Sequence, residues 1–192
     1  MLTKLLRLPV RKVVAPVGRA ISAVGLTANH MTVLGFLTVS VAAGFLARGS
    51  LMTAGWVLLA GAAFDILDGA VARASNSMTT AGAFLDSTLD RLSDGIIFSA
   101  LAWYVAPDGF ELALALTCLV LGFTTSYIRA KAEGVGLTCN VGIAERSERI
   151  IVLIIGLLFG ILIQSLMFLT ALSAITVIHR FVHVWKQAKN VG

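Results

Sequence analysis

Five aspartates stand in otherwise apolar surroundings: Asp65, Asp68, Asp86, Asp90 and Asp94. Asp65 and Asp68 are separated by three residues, Asp86 and Asp90 by four, so on helices each pair shares one face. The polar segment Ala74–Thr80 lies between the pairs and has the composition of a turn. An antiparallel hairpin around it would bring four carboxylates to one depth. Carboxylates crowded together repel and stay ionised only with a cation among them. Mg²⁺ takes oxygen ligands, commonly carboxylates together with substrate phosphates. Two such ions can clamp the entering and leaving oxygens of a phosphoryl displacement. Gly69, Ala72 and Gly82 would let a flat nucleotide or a diphosphate approach the backbone, and Arg73 is placed to meet phosphate. Against this stand the ordinary uses of such residues: small side chains in helix packing, and Arg91 with Asp94 as a structural i, i+3 pair.

The elements that must position these residues follow from composition. Of 192 residues, 58% are hydrophobic and only 13% charged, and the mean hydropathy is +0.92. Soluble domains carry about 25% charged residues, so a water-facing surface cannot be made from this chain. Disorder is excluded by the same balance, and a disulfide scaffold by a count of two cysteines. The expectation is one all-α integral membrane domain over residues 1–192, with an interfacial segment at 1–25 and six transmembrane helices at 30–187. Spans are predicted at His30–Ala47, Leu51–Arg73, Ala81–Ala106 and Glu111–Lys131. A fifth and sixth share the uncharged stretch Ile150–Ile178, broken near Gln164-Ser165 and extended to about Ala144 and Gln187. Orientation favours six over five: with both termini cytoplasmic, 14 of the 15 Lys and Arg lie on or toward the cytoplasm, leaving Arg48 outside. Met1–Arg19 is basic, is interrupted by Pro9 and Pro16, and lacks a signal-peptide cleavage site. It is expected to be an amphipathic helix on the cytoplasmic surface. The net charge of +5 fits membrane anchoring, and no aromatic-plus-basic pattern suggests nucleic acid.

The string from Asp65 to Asp90 resembles the signature of the CDP-alcohol phosphotransferases, D-x2-D-G-x2-A-R-x8-G-x3-D-x3-D, at every fixed position. The resemblance implies transfer of the phosphatidyl group from CDP-diacylglycerol to an alcohol, with CMP leaving. It implies two Mg²⁺ ions per site, with Mn²⁺ as a substitute. Asp65, Asp68 and Asp86 would hold one ion, and Asp65, Asp86 and Asp90 the other, with Asp90 also the general base. Gly69, Arg73 and Thr79 would contact the CDP portion. So would Asn29, His30, Met31 and Thr32, where Ala28 replaces the family's usual proline. A homodimer in the cell (plasma) membrane, its active site facing the cytoplasm, is also implied.

A second basic cluster bears on the acceptor. Arg129 and Lys131 end the fourth predicted span, Arg146 and Arg149 open the fifth, and Arg180 sits near the end of the sixth. Five cations facing one site would suit an acceptor carrying its own phosphate. The alternative is positive-inside anchoring, with Glu145 and Glu148 as ion-pair partners, and the residues alone do not decide. The strings S-Y-I-R-A-K-A-E and E-R-S-E-R are similar to those of the actinobacterial phosphatidylinositol phosphate synthases, with Arg129 and Lys131 in exchanged order. That similarity implies inositol 1-phosphate as the acceptor, with glycerol 3-phosphate, giving phosphatidylglycerol phosphate, the close competitor. A small ion-coupled transporter would need inverted repeats or interrupted helices near the midplane, and neither is visible. A scaffold would have no use for four converging carboxylates.

Overall fold

In hydrocarbon no water satisfies backbone N–H and C=O groups, so long apolar runs must close their hydrogen bonds internally as helices. The computed structural model describes residues 2–75 and 78–191, with side chains over 13–75 and 78–190. The described residues form seven helices: α1 (Leu2–Ala23), α2 (Ala28–Ala47), α3 (Leu51–Ala74), α4 (Thr80–Tyr104), α5 (Gly109–Gly134), α6 (Arg146–Phe159) and α7 (Leu162–Val191). Four of them, α2, α3, α5 and α7, are long and apolar enough to cross a membrane. The other two predicted spans differ in kind. Helix α4 is long enough but carries Asp86, Asp90, Arg91 and Asp94 along its first four turns. Helix α6 has 14 residues, a rise of about 21 Å, which is short of a full hydrocarbon thickness.

Local chemistry sets the ends. Thr27 and His30 form a reciprocal capping box at the start of α2. Asp108 caps α5 by accepting from the backbone N–H groups of Phe110 at 2.9 Å and Glu111 at 3.0 Å. The turn between α6 and α7 lies at Gly160, not at the predicted Gln164-Ser165. Gly160 takes the left-handed conformation, φ +69°, and its N–H closes on the Gly156 carbonyl. Glycine adopts that conformation without the Cβ penalty. Polarity at Gln164 and Ser165 is a weaker stop signal, because Ser165 is buried at the α6–α7 contact. A Cβ on Gly156 would lie 2.7 Å from Ser165 Oγ.

Helix α1 runs unbroken through Pro9 and Pro16, which the sequence had suggested would interrupt it. Its C-terminal half packs on α3: a Cβ on Gly18 would meet the Ala70 carbonyl carbon at 2.8 Å. The side chains of Lys4, Arg7, Arg11 and Lys12, expected to anchor this segment, fall outside the described side chains. So do Asn76 and Ser77 of the predicted turn.

The core lies where α2, α3, α4, α5, α6 and α7 meet, around fully buried Leu46, Leu58, Ile97, Leu101, Leu153, Leu166 and Leu169. The outer faces are also apolar, with Trp56, Trp103, Phe159 and Phe168 more than half exposed. A membrane supplies the environment such surfaces need. The chain is a multi-pass membrane protein. Cys118 and Cys139 are buried free thiols.

Candidate active site

Helices α3 and α4 deliver the carboxylates as their spacing required. Oxygens of Asp65, Asp68 and Asp86 lie within 4.8 Å of one another. A cluster of carboxylate oxygens without sulfur or imidazole matches a hard divalent cation such as Mg²⁺ or Mn²⁺. The residues present therefore fit the expected metal. Helix α2 supports the cluster from a third side, where Thr32 Oγ1 donates to Asp68 Oδ2 at 3.2 Å.

Asp90 is joined to this group through a cation of the protein itself. Arg146 Nη1 lies 2.9 Å from Asp65 Oδ1 and 2.8 Å from Asp90 Oδ1. Its Nε lies 3.2 Å from Asp94 Oδ1. The first residue of α6 thus reaches across to both acid-bearing helices. Asp94 also holds Arg149, whose Nη2 lies 2.8 Å from Asp94 Oδ2, and both residues are at most 3% exposed. The expected Arg91–Asp94 pair is present but long, at 4.0 Å. The main partners of Asp94 are on α6 instead, and Arg91 donates to Ser126 Oγ on α5. Asp94, expected only as the partner of Arg91, joins α4 to α6. Its signal was there: Asp86, Asp90 and Asp94 continue one helix face at successive spacings of four.

The nucleotide-contacting candidates divide. Asn29 sits against Gly82, where a Cβ would lie 3.1 Å from both Asn29 Oδ1 and Thr79 Oγ1. Thr79 caps α4 by accepting from Gly82 N at 3.0 Å. The Arg73 guanidinium folds back over Gly69, with Nη1 3.1 Å from where a Cβ would stand. Gly69 follows Asp68 directly on α3, and Gly82 stands one turn before Asp86 on α4. His30 turns away into the capping box with Thr27, and Met31 is 3% exposed, its side chain in the protein interior.

The five basic candidates also divide. Arg146 is in the site. Arg149 is buried behind it against Asp94. Arg180 on α7 is buried too, donating to Thr125 O at 2.7 Å and Val141 O at 2.8 Å. Arg129 pairs with Glu133 at 2.9 Å on the outer end of α5. Lys131 lines a separate apolar recess of about 260 Å³ with Tyr127, Phe181 and Trp185.

The loop between α5 and α6 is what brings Arg146 and Arg149 to α4, and α7 holds that loop. Buried Thr176 Oγ1 accepts from Ala144 N at 3.0 Å and Ile143 N at 3.4 Å. Gly142, at φ +125°, passes so close that a Cβ would meet Thr176 Cγ2 at 2.8 Å and Arg180 Nε at 3.0 Å. No spacing rule in the sequence predicted this latch.

A cavity of about 350 Å³ opens from the carboxylates between α2, α3, α4 and α6. Its polar end carries Asp65, Asp68, Asp90 and Arg146, and its walls are apolar, including Val39, Leu58, Ile66, Ile150 and Ile154. A site of this form suits a ligand that is charged at one end and hydrocarbon at the other.

The profile of the CDP-alcohol phosphatidyltransferase family matches residues 25–185. The archaetidylinositol phosphate synthase of Methanothermobacter thermautotrophicus is 42% identical over 187 residues, covering 94% of this chain and 92% of that protein. The phosphatidylinositol phosphate synthase of Corynebacterium glutamicum is 39% identical over 157 residues, covering 79% and 71%. Among solved structures, Mycobacterium tuberculosis phosphatidylinositol phosphate synthase with CDP-DAG bound superposes with a TM-score of 0.84 at 34% identity, covering 91% of this chain and 94% of that one. The same enzyme in complex with manganese and citrate gives a TM-score of 0.83 at 34% identity, covering 90% and 88%.

Proposed function

Because the chain belongs to the CDP-alcohol phosphatidyltransferase family and is a membrane transferase of phospholipid synthesis, we propose that it transfers the phosphatidyl group of CDP-diacylglycerol to inositol 1-phosphate. The observation that carries a phosphorylated acceptor is Arg146. It sets a guanidinium between Asp65 and Asp90, within reach of a phosphate on an alcohol bound beside Asp90. Arginine matches phosphate geometry well. The inositol phosphate synthases among the relatives support the same class of acceptor.

In this reading Asp90 accepts the proton of the acceptor hydroxyl. The hydroxyl oxygen forms a bond to the phosphatidyl phosphorus, and the bond from that phosphorus to the CMP phosphate oxygen breaks. Two Mg²⁺ ions, held by Asp65, Asp68, Asp86 and Asp90, would neutralise the diphosphate and stabilise the departing phosphate. Asn29, Thr79, Gly69 and Arg73 hold the CDP portion at the mouth. The apolar cavity receives hydrocarbon chain, which keeps the lipid in the bilayer while its diphosphate reaches the acids. Arg149 and Arg180 act from behind, fixing the α6 end and its loop. Six helices, α2 to α7, form one bundle in the plasma membrane, the short α6 reaching across with the help of its flanking loop, with the site and both termini on the cytoplasmic side, and two copies pair as a homodimer.

An acceptor panel tests this. Purified protein with Mg²⁺ and CDP-diacylglycerol, or its ether-linked counterpart, is offered inositol 1-phosphate, glycerol 3-phosphate, free inositol or serine, and CMP release is followed. Inositol 1-phosphate should be used best, and Asp90→Asn should abolish turnover with every acceptor. Preference for glycerol 3-phosphate would reassign the acceptor within the phosphorylated class. Equal use of free inositol would refute phosphate recognition altogether.

A further inference from the structure

Away from the carboxylates, the ends of α5 and α7 enclose an apolar recess of about 260 Å³. Its walls are two stripes at helical spacing: Tyr127, Lys131 and Val135 on α5, and Phe181, Trp185 and Ala188 on α7. Phe181 and Trp185 stack with ring centroids 5.9 Å apart and are 56% and 55% exposed, so the recess opens on the outer face of the bundle. Lys189 holds its ammonium 5.6 Å from the centroid of the Trp185 ring, and Lys131 lines the facing wall. Among the described residues neither lysine has a carboxylate within ion-pair distance, whereas the neighbouring Arg129 is paired with Glu133. The two walls are also tied together. Gln187 Nε2 donates to Thr138 O at 2.7 Å, and Gln187 Oε1 accepts from Thr138 N at 3.3 Å and Thr138 Oγ1 at 3.2 Å. The end of α7 is thereby fastened to the chain leaving α5.

We infer that this recess is a binding site for an anionic phospholipid of the bilayer, separate from the proposed reaction site, with an acyl chain against Val135, Phe181 and Trp185 and the headgroup phosphate at Lys131 and Lys189. Apolar walls suit hydrocarbon and offer a water-soluble ligand nothing to bond. Aromatic rings with lysines just beyond them set apolar contact in the acyl region and charge at the headgroups. Two cations without carboxylate partners favour a headgroup of net negative charge over a zwitterionic one, whose own ammonium they repel. A second copy of this chain fits less well, because a two-fold contact through this patch brings its lysines toward the partner's. The inference needs only the membrane placement and is independent of which acceptor the reaction uses.

Trp185 serves as the reporter. The chain has three tryptophans, so Trp56→Phe with Trp103→Phe leaves Trp185 as the sole one in the full-length protein. This protein is placed in phosphatidylcholine vesicles holding equal fractions of either brominated phosphatidylcholine or brominated phosphatidylglycerol, and quenching of Trp185 reads the lipid beside it. Brominated phosphatidylglycerol should compete for the site on the order of tenfold better, the scale of two lysines near an anionic headgroup. Added NaCl should shrink that preference, an arm that needs no lysine variant. Lys131→Gln/Lys189→Gln should bring the two lipids to parity, while quenching by brominated phosphatidylcholine persists because the recess is still formed. Equal quenching by both lipids with the lysines in place overturns the headgroup site. A preference unchanged in the double glutamine variant overturns the two lysines as its source. Quenching by neither lipid means that protein covers the recess, which overturns the proposal outright. The transfer reaction is tested separately, by the acceptor panel.

Discussion

Asp94→Ala is expected to cost far more stability than any change at the exposed carboxylates. Asp94 is 3% exposed and Arg149 2%. The carboxylate binds Arg149 Nη2 at 2.8 Å and Arg146 Nε at 3.2 Å. Without it, Arg149 keeps one long hydrogen bond among the described residues, to the Ala144 carbonyl at 3.4 Å, and its buried guanidinium loses the carboxylate it pairs with. Breaking one side of a buried pair costs about 3–5 kcal/mol. At about 2–4 °C per kcal/mol for a chain of this size, the midpoint should fall by roughly 6–20 °C. Thermal unfolding of purified protein, followed by fluorescence in detergent, measures it. The double variant Asp94→Ala/Arg149→Met should recover much of the loss, because the stranded charge goes with its partner. Activity should not recover with it, since Arg146 has still lost its tether. A shift below about 2 °C for Asp94→Ala, or no recovery in the double variant, would refute the assignment of this pair as the anchor of α6.

Thr176→Val keeps the shape of a buried residue but removes the acceptor for Ile143 N and Ala144 N. A loss of about 1–3 kcal/mol is expected, with acceptor KM rising more than lipid KM, read from steady-state CMP release. Gly18→Leu should overpack the α1–α3 contact at Ala70 by about 1–3 kcal/mol, and proteolysis of the N-terminal helix should quicken in proportion. Gly160→Ala keeps a positive φ of 69° with open space around it, so only backbone strain of about 1 kcal/mol is expected, with turnover unchanged. Chelation with EDTA should stop CMP release and added Mg²⁺ should restore it, and continued release in EDTA would contradict a metal held by Asp65, Asp68 and Asp86.

What the sequence alone determined was periodic or compositional. Low charge and high hydropathy required a membrane, and spacings of three and four placed Asp65 with Asp68 and Asp86 with Asp90 on helix faces. The short connection keeps those faces at one end of the bundle, but among the described residues α3 and α4 hardly touch each other, and α2 packs against both. The turn between α6 and α7 is not among these: polarity at Gln164 and Ser165 pointed to a break there, and the chain turns at Gly160 instead. What only the tertiary structure decided were meetings across long stretches of chain. Arg146 lies 81 residues from Asp65, and nothing in its local sequence separates it from Arg149, three residues on. The rotation of α6 about its axis makes the difference, turning Arg146 into the site and Arg149 into the protein interior. That rotation is set by the close packing at Gly142 and by Asp94 and Thr176, the last two far from the arginines in sequence. Helical periodicity fixes which residues share a face, but which neighbour a face meets depends on the packing of the whole bundle.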